Sequence, residues 1–166
     1  MTIEETISFF KRKFSKIPQR VAYDIDERGD DFCEIFFPNE INKNLPISIL
    51  VNDLGCLLSV GRLQNVMGER PISPEACEAA IRDVIEDKIV FVFAYKNEDD
   101  FDESKVFFSR FFALTGREDD MSEEYEKFLL TLEKKPSWLE RKFSKSVGIF
   151  EFSTFSQAKT KIIKRL

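Results

Sequence analysis

The densest chemistry-bearing residues in this 166-residue chain are carboxylates: Glu98, Asp99, Asp100, Asp102 and Glu103 crowd six positions, and Glu118, Asp119 and Asp120 follow. Paired carboxylates serve glycoside hydrolysis and two-metal phosphoryl transfer. An EF-hand calcium loop also needs a glycine and a terminal glutamate at set offsets, and the run at 98–103 lacks both. With 30 acidic residues in the chain, some close pair arises by chance, so a solvated acidic loop is the simpler local description.

Other chemistries are excluded by residue type. The chain has no histidine, which removes Ser-His-Asp and Cys-His nucleophilic catalysis, histidine general bases and His-ligated zinc or haem. Three scattered cysteines, Cys33, Cys56 and Cys77, cannot by themselves supply a four-thiolate zinc or iron–sulfur site. They form no CxxC pair, are odd in number and lie in apolar stretches, the pattern of free thiols packed as small hydrophobes in a reducing compartment. Neither GxxxxGK[ST] nor GxGxxG occurs; Gly61 and Gly68 flank Arg62–Met67 without the lysine or the spacing. No cofactor, metal or catalytic residue is therefore assigned.

The elements that must position the carboxylates follow from periodicity. Thr2 and Glu5 make a capping box, and Ile3, Ile7, Phe10 and Phe14 recur at helical spacing, predicting a helix over 3–16. Val21–Asp26, Phe32–Phe37, Ile47–Val51 and Cys56–Leu63 read as four strands of an antiparallel meander, with turns at Glu27-Arg28-Gly29-Asp30 and Asn52-Asp53-Leu54-Gly55. Ser73 and Pro74 open a second helix with the stripe Cys77, Ala80, Ile81, Val84 and Ile85. Ile89–Tyr95 is apolar throughout, as in a central strand buried on both faces. The phenylalanine-rich stretch 104–115 fits a helix or a strand; the strand, paired with 89–95 across the loop 96–103, is preferred. A third helix is expected, capped by Ser122 or Asp120 and closed by Pro136, with the stripe Tyr125, Phe128, Leu129 and Leu132, then a short turn at Ser137–Phe143. A last strand at Val147–Phe152 and a short basic helix at Ser156–Arg165 complete the order.

This order argues for an α+β fold, with a mostly antiparallel sheet and helices on one face, as a single domain over 1–166. The 18 phenylalanines are expected mainly in the core. Met1-Thr2-Ile3-Glu4-Glu5 carries acids where a secretory leader places cations, and no apolar run reaches the ~20 residues that span a bilayer, so a cytoplasmic location away from membranes is expected.

Charge is segregated behind the net −5. Residues 97–126 hold eleven acidic against three basic residues, a local −8; residues 24–34 stand at −5, and the tail 134–166 at +7. Clustered like charge opposes compaction but speeds association with an oppositely charged protein. The leading expectation is a small acidic inhibitor, an immunity protein that neutralises a basic toxin or nuclease domain. Its partner-binding residues would be Glu98, Asp99, Asp100, Asp102 and Glu103, then Glu118, Asp119 and Asp120, with carboxylates standing in for phosphates. The alternative is a secretion chaperone, acting as a homodimer, that holds an extended client on exposed phenylalanines. A Mg²⁺-dependent carboxylate enzyme ranks third. Lys159, Lys161, Lys164 and Arg165 make a basic tail, but no stacking-aromatic or glycine-rich RNA motif accompanies it, which argues against nucleic acid.

Overall fold

A computed structural model of the chain describes residues 1–25, 31–61, 63, 70–102, 108–113, 130, 148–157 and 160–164. The architecture is α+β with antiparallel sheets, and the chain divides into two compact units. Unit 1 comprises Met1–Asp87 with Phe155–Gln157, and unit 2 comprises Lys88–Thr154 with Ala158–Leu166.

Unit 1 opens with α1 (Ile3–Lys13), whose capping box forms as the sequence predicts. The Thr2 hydroxyl accepts from the Glu5 N–H at 3.2 Å, and the Glu5 carboxylate accepts from the Thr2 N–H at 2.8 Å. The helix ends three residues before the predicted Lys16. At that point the Phe14 carbonyl takes the Ile17 N–H and the Gln19 side-chain amide, each at 2.9 Å, and the chain leaves the helical path. Four strands follow as an antiparallel meander: β1 (Arg20–Ile25), β2 (Asp31–Phe37), β3 (Ile47–Asn52) and β4 (Gly55–Val60). Side chains alternate across a sheet, and directly paired residues share a face. Ile35, Ile49 and Leu58 thus form one buried row, and Phe37, Ile47 and Val60 another.

The β3–β4 hairpin closes through the two-residue turn Asp53-Leu54, with Asn52 paired to Gly55 and its side-chain oxygen accepting from the Leu54 N–H at 3.0 Å. β4 stops at Val60, short of the predicted Leu63, because Gly61 takes a left-handed φ of +58° and the chain reverses. Val60 and Leu63 then exchange backbone hydrogen bonds at 2.9 and 3.0 Å. Two helices cover the buried face. α2 (Pro74–Ile85) starts at Ser73, whose hydroxyl accepts from the Ala76 N–H at 3.2 Å, and it packs against β4 and α1. Phe14 joins the layers, stacking on Phe10 and meeting Phe37 edge-on with ring centroids 5.6 Å apart. Each such buried aromatic contributes roughly 1.5–3 kcal/mol by leaving water.

A buried asparagine organises the β2–β3 connection. The Asn39 side-chain oxygen accepts from the N–H groups of Ile41 and Asn42 at 3.1 and 2.8 Å. Its amide donates to the Phe155 carbonyl at 2.8 Å and, over a longer 3.5 Å, to that of Leu45. Phe155–Gln157 is held to unit 1 a second time, by the Asp87 carboxylate, which accepts from both the N–H and the hydroxyl of Ser156.

Unit 2 contains β5 (Ile89–Tyr95), a short α3 (Glu98–Asp102), β6 (Phe108–Ala113), β7 (Ile149–Ser153) and β8 (Lys161–Lys164). The strand order is β6-β5-β7-β8, all antiparallel. β5 is an inner strand buried from Val90 through Tyr95, and the strand reading of the phenylalanine-rich stretch holds at Phe108–Ala113. The segment predicted as a basic helix at 156–165 instead contributes β8. Its Thr160, Ile162 and Ile163 are β-branched, which favours the pleated surface over a helix, and β7 offers an edge to pair with. Lys161 and Lys164 on this outer strand are a common device against edge-to-edge association. Leu130 is helical, and the rest of the expected third helix, the turn at 137–143 and the turn at 27–30 lie outside the described residues.

Among the described side chains, Phe10, Phe14, Phe37, Phe91, Phe93, Phe150 and Phe152 are buried, whereas Phe111 is 39% exposed. Cys33, Cys56 and Cys77 are free thiols, each fully buried. No helix among the described residues is long and apolar enough to cross a membrane.

Candidate functional site

The acidic run begins at Glu98, three residues after β5 ends at Tyr95. The Asn97 side-chain oxygen accepts from the Asp100 N–H at 2.8 Å, and its carbonyl accepts from the Phe101 N–H at 3.2 Å. These bonds wind residues expected as loop into the single turn α3. Acids at its start suit the positive end of the peptide dipoles. Phe101 anchors the turn, its ring edge-on to Tyr95 with centroids 5.1 Å apart. Tyr95 is itself fixed, its hydroxyl donating to the Glu151 carboxylate on β7 at 2.7 Å. Gly148 passes beside the same corner and donates its N–H to the Tyr95 carbonyl at 3.0 Å; a Cβ on it would stand 2.7 Å from the Lys96 carbonyl oxygen.

This scaffold leaves Glu98, Asp99 and Asp102 exposed and Asp100 half-buried. Glu98 forms an ion pair with Lys164 of β8, both side chains being mostly exposed. The hydrogen bond from the ammonium holds the Glu98 carboxyl below its ordinary range, and the same bond raises Lys164, with Asp102 adding a smaller push. The sequence separates this acid and base by 66 positions, and the pairing of β7 with both β5 and β8 brings them together. No local signal would have found the pair. It also means that the segregation of charge along the chain is partly closed in space.

Of the predicted partner-binding residues, Glu98, Asp99, Asp100 and Asp102 share this turn, while Glu103, Glu118, Asp119 and Asp120 lie outside the described residues. No group of three or more His, Cys, Asp or Glu side chains placed to hold a metal ion occurs among the described residues. A second cluster lies at the far ends of α1 and α2, where the Arg82 guanidinium sits over the Phe14 ring at 5.5 Å and pairs with Glu78, four residues earlier on α2. Its cation is already held between a ring and a carboxylate, so it reads as a packing feature. Comparison of the chain with protein-family models, with characterised proteins and with solved structures finds no match.

Proposed function

We propose that this chain is a binding protein that engages a basic protein partner through its acidic turn, in the role of an immunity protein that inhibits a toxin or nuclease domain in the cytoplasm. The observation that carries the reading is the braced turn α3, which leaves Glu98, Asp99 and Asp102 exposed together. An exposed carboxylate on a braced turn already holds an ammonium group, and Asp99 and Asp102 stand exposed beside it. Lysine or arginine side chains of a partner would meet those carboxylates in a fixed frame, so the turn loses little conformational freedom on binding. Complementary charge of this kind acts mainly on the association rate and is sensitive to salt. The chaperone alternative draws less support, because the described phenylalanines lie mostly in the core.

The test is affinity capture from the native host with stepwise salt elution, comparing the wild type with Asp99→Lys/Asp100→Lys/Asp102→Lys. A basic protein retained near stoichiometrically by the wild type, released by moderate salt, inactive when bound and lost from the triple variant is the expected result. Equal capture by both proteins at low salt overturns the assignment of these residues.

A further inference from the structure

The buried face of unit 1 carries a row of residues in register across three strands: Cys33 on β2 faces Val51 on β3, and Val51 faces Cys56 on β4. On its other side Cys56 forms a bridge with Ile72, each N–H donating to the other's carbonyl at 2.9 Å. That approach depends on Gly55, since a Cβ there would lie 2.6 Å from the Ile72 carbonyl oxygen. Ile72 directly precedes the Ser73 cap, so α2 starts beside Cys56. One turn later Cys77, its N–H bonded to the Ser73 carbonyl at 3.0 Å, packs against β4. The Cys77 thiol donates a hydrogen bond to the Cys56 sulfur, and both side chains are fully buried. This bond favours the Cys56 thiolate and, together with burial, disfavours that of Cys77.

We propose that Cys56 and Cys77 are a dithiol pair that a peroxide converts into a disulfide tying α2 to β4. The Cys56 thiolate attacks a peroxide oxygen, the O–O bond breaks, and the departing hydroxide takes a proton to leave as water. Cys56 is then a sulfenic acid. The Cys77 sulfur, losing its proton, attacks the Cys56 sulfur; the S–S bond forms, the S–O bond breaks, and the second hydroxide leaves as water. Two thiols lose two electrons in all, and one hydrogen peroxide becomes two waters. Cys33 is excluded by distance: two strand spacings place it about 9–10 Å from Cys56, beyond the ~7 Å between Cα atoms that a disulfide spans. Because both sulfurs are sealed from solvent, the reaction waits on a local opening that admits peroxide while Cys56 and Cys77 stay neighbours. None of this involves the acidic turn, so the inference stands or falls separately from the partner reading.

The full chain is treated with hydrogen peroxide, alkylated after unfolding and digested with trypsin without reduction. Cleavage after Lys43 and Arg62 places each cysteine on its own peptide. The expected result is a loss of two hydrogens, a cross-linked peptide pair carrying Cys56 and Cys77, alkylated Cys33, and full reversal by a dithiol reductant. Cys33→Ser should cross-link as the wild type does. A cross-link that includes Cys33, sulfinic acid on Cys56 without any cross-link, or three cysteines that all remain alkylatable would overturn the proposal.

Discussion

Replacing Asn39 by alanine removes the one side chain that both organises the β2–β3 connection and holds the Phe155 carbonyl. Asn39 is 8% exposed and Asn42 is 1% exposed, so the Asn42 N–H loses a 2.8 Å acceptor in a place water does not readily reach. Removing the acceptor of a buried donor costs roughly 1–3 kcal/mol. The Phe155 carbonyl is half-buried and loses a bond of 2.8 Å, adding about 1 kcal/mol. The Ile41 N–H belongs to an exposed residue that water can serve, and the 3.5 Å contact to Leu45 is too long to count for much. Asn39→Ala should therefore destabilise unit 1 by about 2–4 kcal/mol. At roughly 2–4 °C per kcal/mol for a chain of this size, its melting temperature should fall by about 4–16 °C. Urea titration combined with hydrogen exchange on residues 38–46 reads both the size and the place of the loss. Asn39→Asp separates the two halves of the network. It keeps the acceptor for Ile41 and Asn42 and loses the donor to Phe155, so protection should persist at Asn42 while Phe155–Gln157 loosens. A loss below about 0.5 kcal/mol for Asn39→Ala, or equal exchange at Asn42 in both variants, would refute the account.

Two further outcomes follow from unit 2. Glu98 has a folded pKa held below its ordinary value of 4.5, so its contribution is present above that value and is lost as pH falls through the folded pKa. Lys164, raised above 10.5, contributes below that value and loses its part as pH rises through the folded pKa. Lys164→Met should return the Glu98 midpoint towards 4.5 in an NMR titration at low salt, and an unmoved midpoint would remove the ion pair from solution. Gly148→Ala should destabilise the corner beneath the acidic turn by about 1–3 kcal/mol, because the contact would be with backbone and both strands are fixed by pairing. A thermal melt indistinguishable from wild type would show that the Lys96 carbonyl moves aside without cost.

The sequence by itself determined what depends on neighbours in the chain. The Thr2–Glu5 box and the Ser73-Pro74 start are short-range hydrogen-bond devices, and both form where they are read. Alternation over 20–60 was enough for the meander, since one buried face sets strand register and a two-residue turn joins β3 to β4. The thiols' burial was likewise legible from their apolar surroundings. What escaped were the outcomes decided by partners distant in sequence. The basic C-terminal segment carries helical spacing as well as β-branched residues, and the open edge of β7 settled it as a strand. Strand ends were misplaced where a single backbone angle decides, as at Gly61. The Glu98–Lys164 pair, the Asn39 network reaching Phe155 and the meeting of Cys56 with Cys77 arise only when strand pairing and helix docking bring remote residues together. Local propensity carries no information about such meetings, because each partner's segment would look the same without the other.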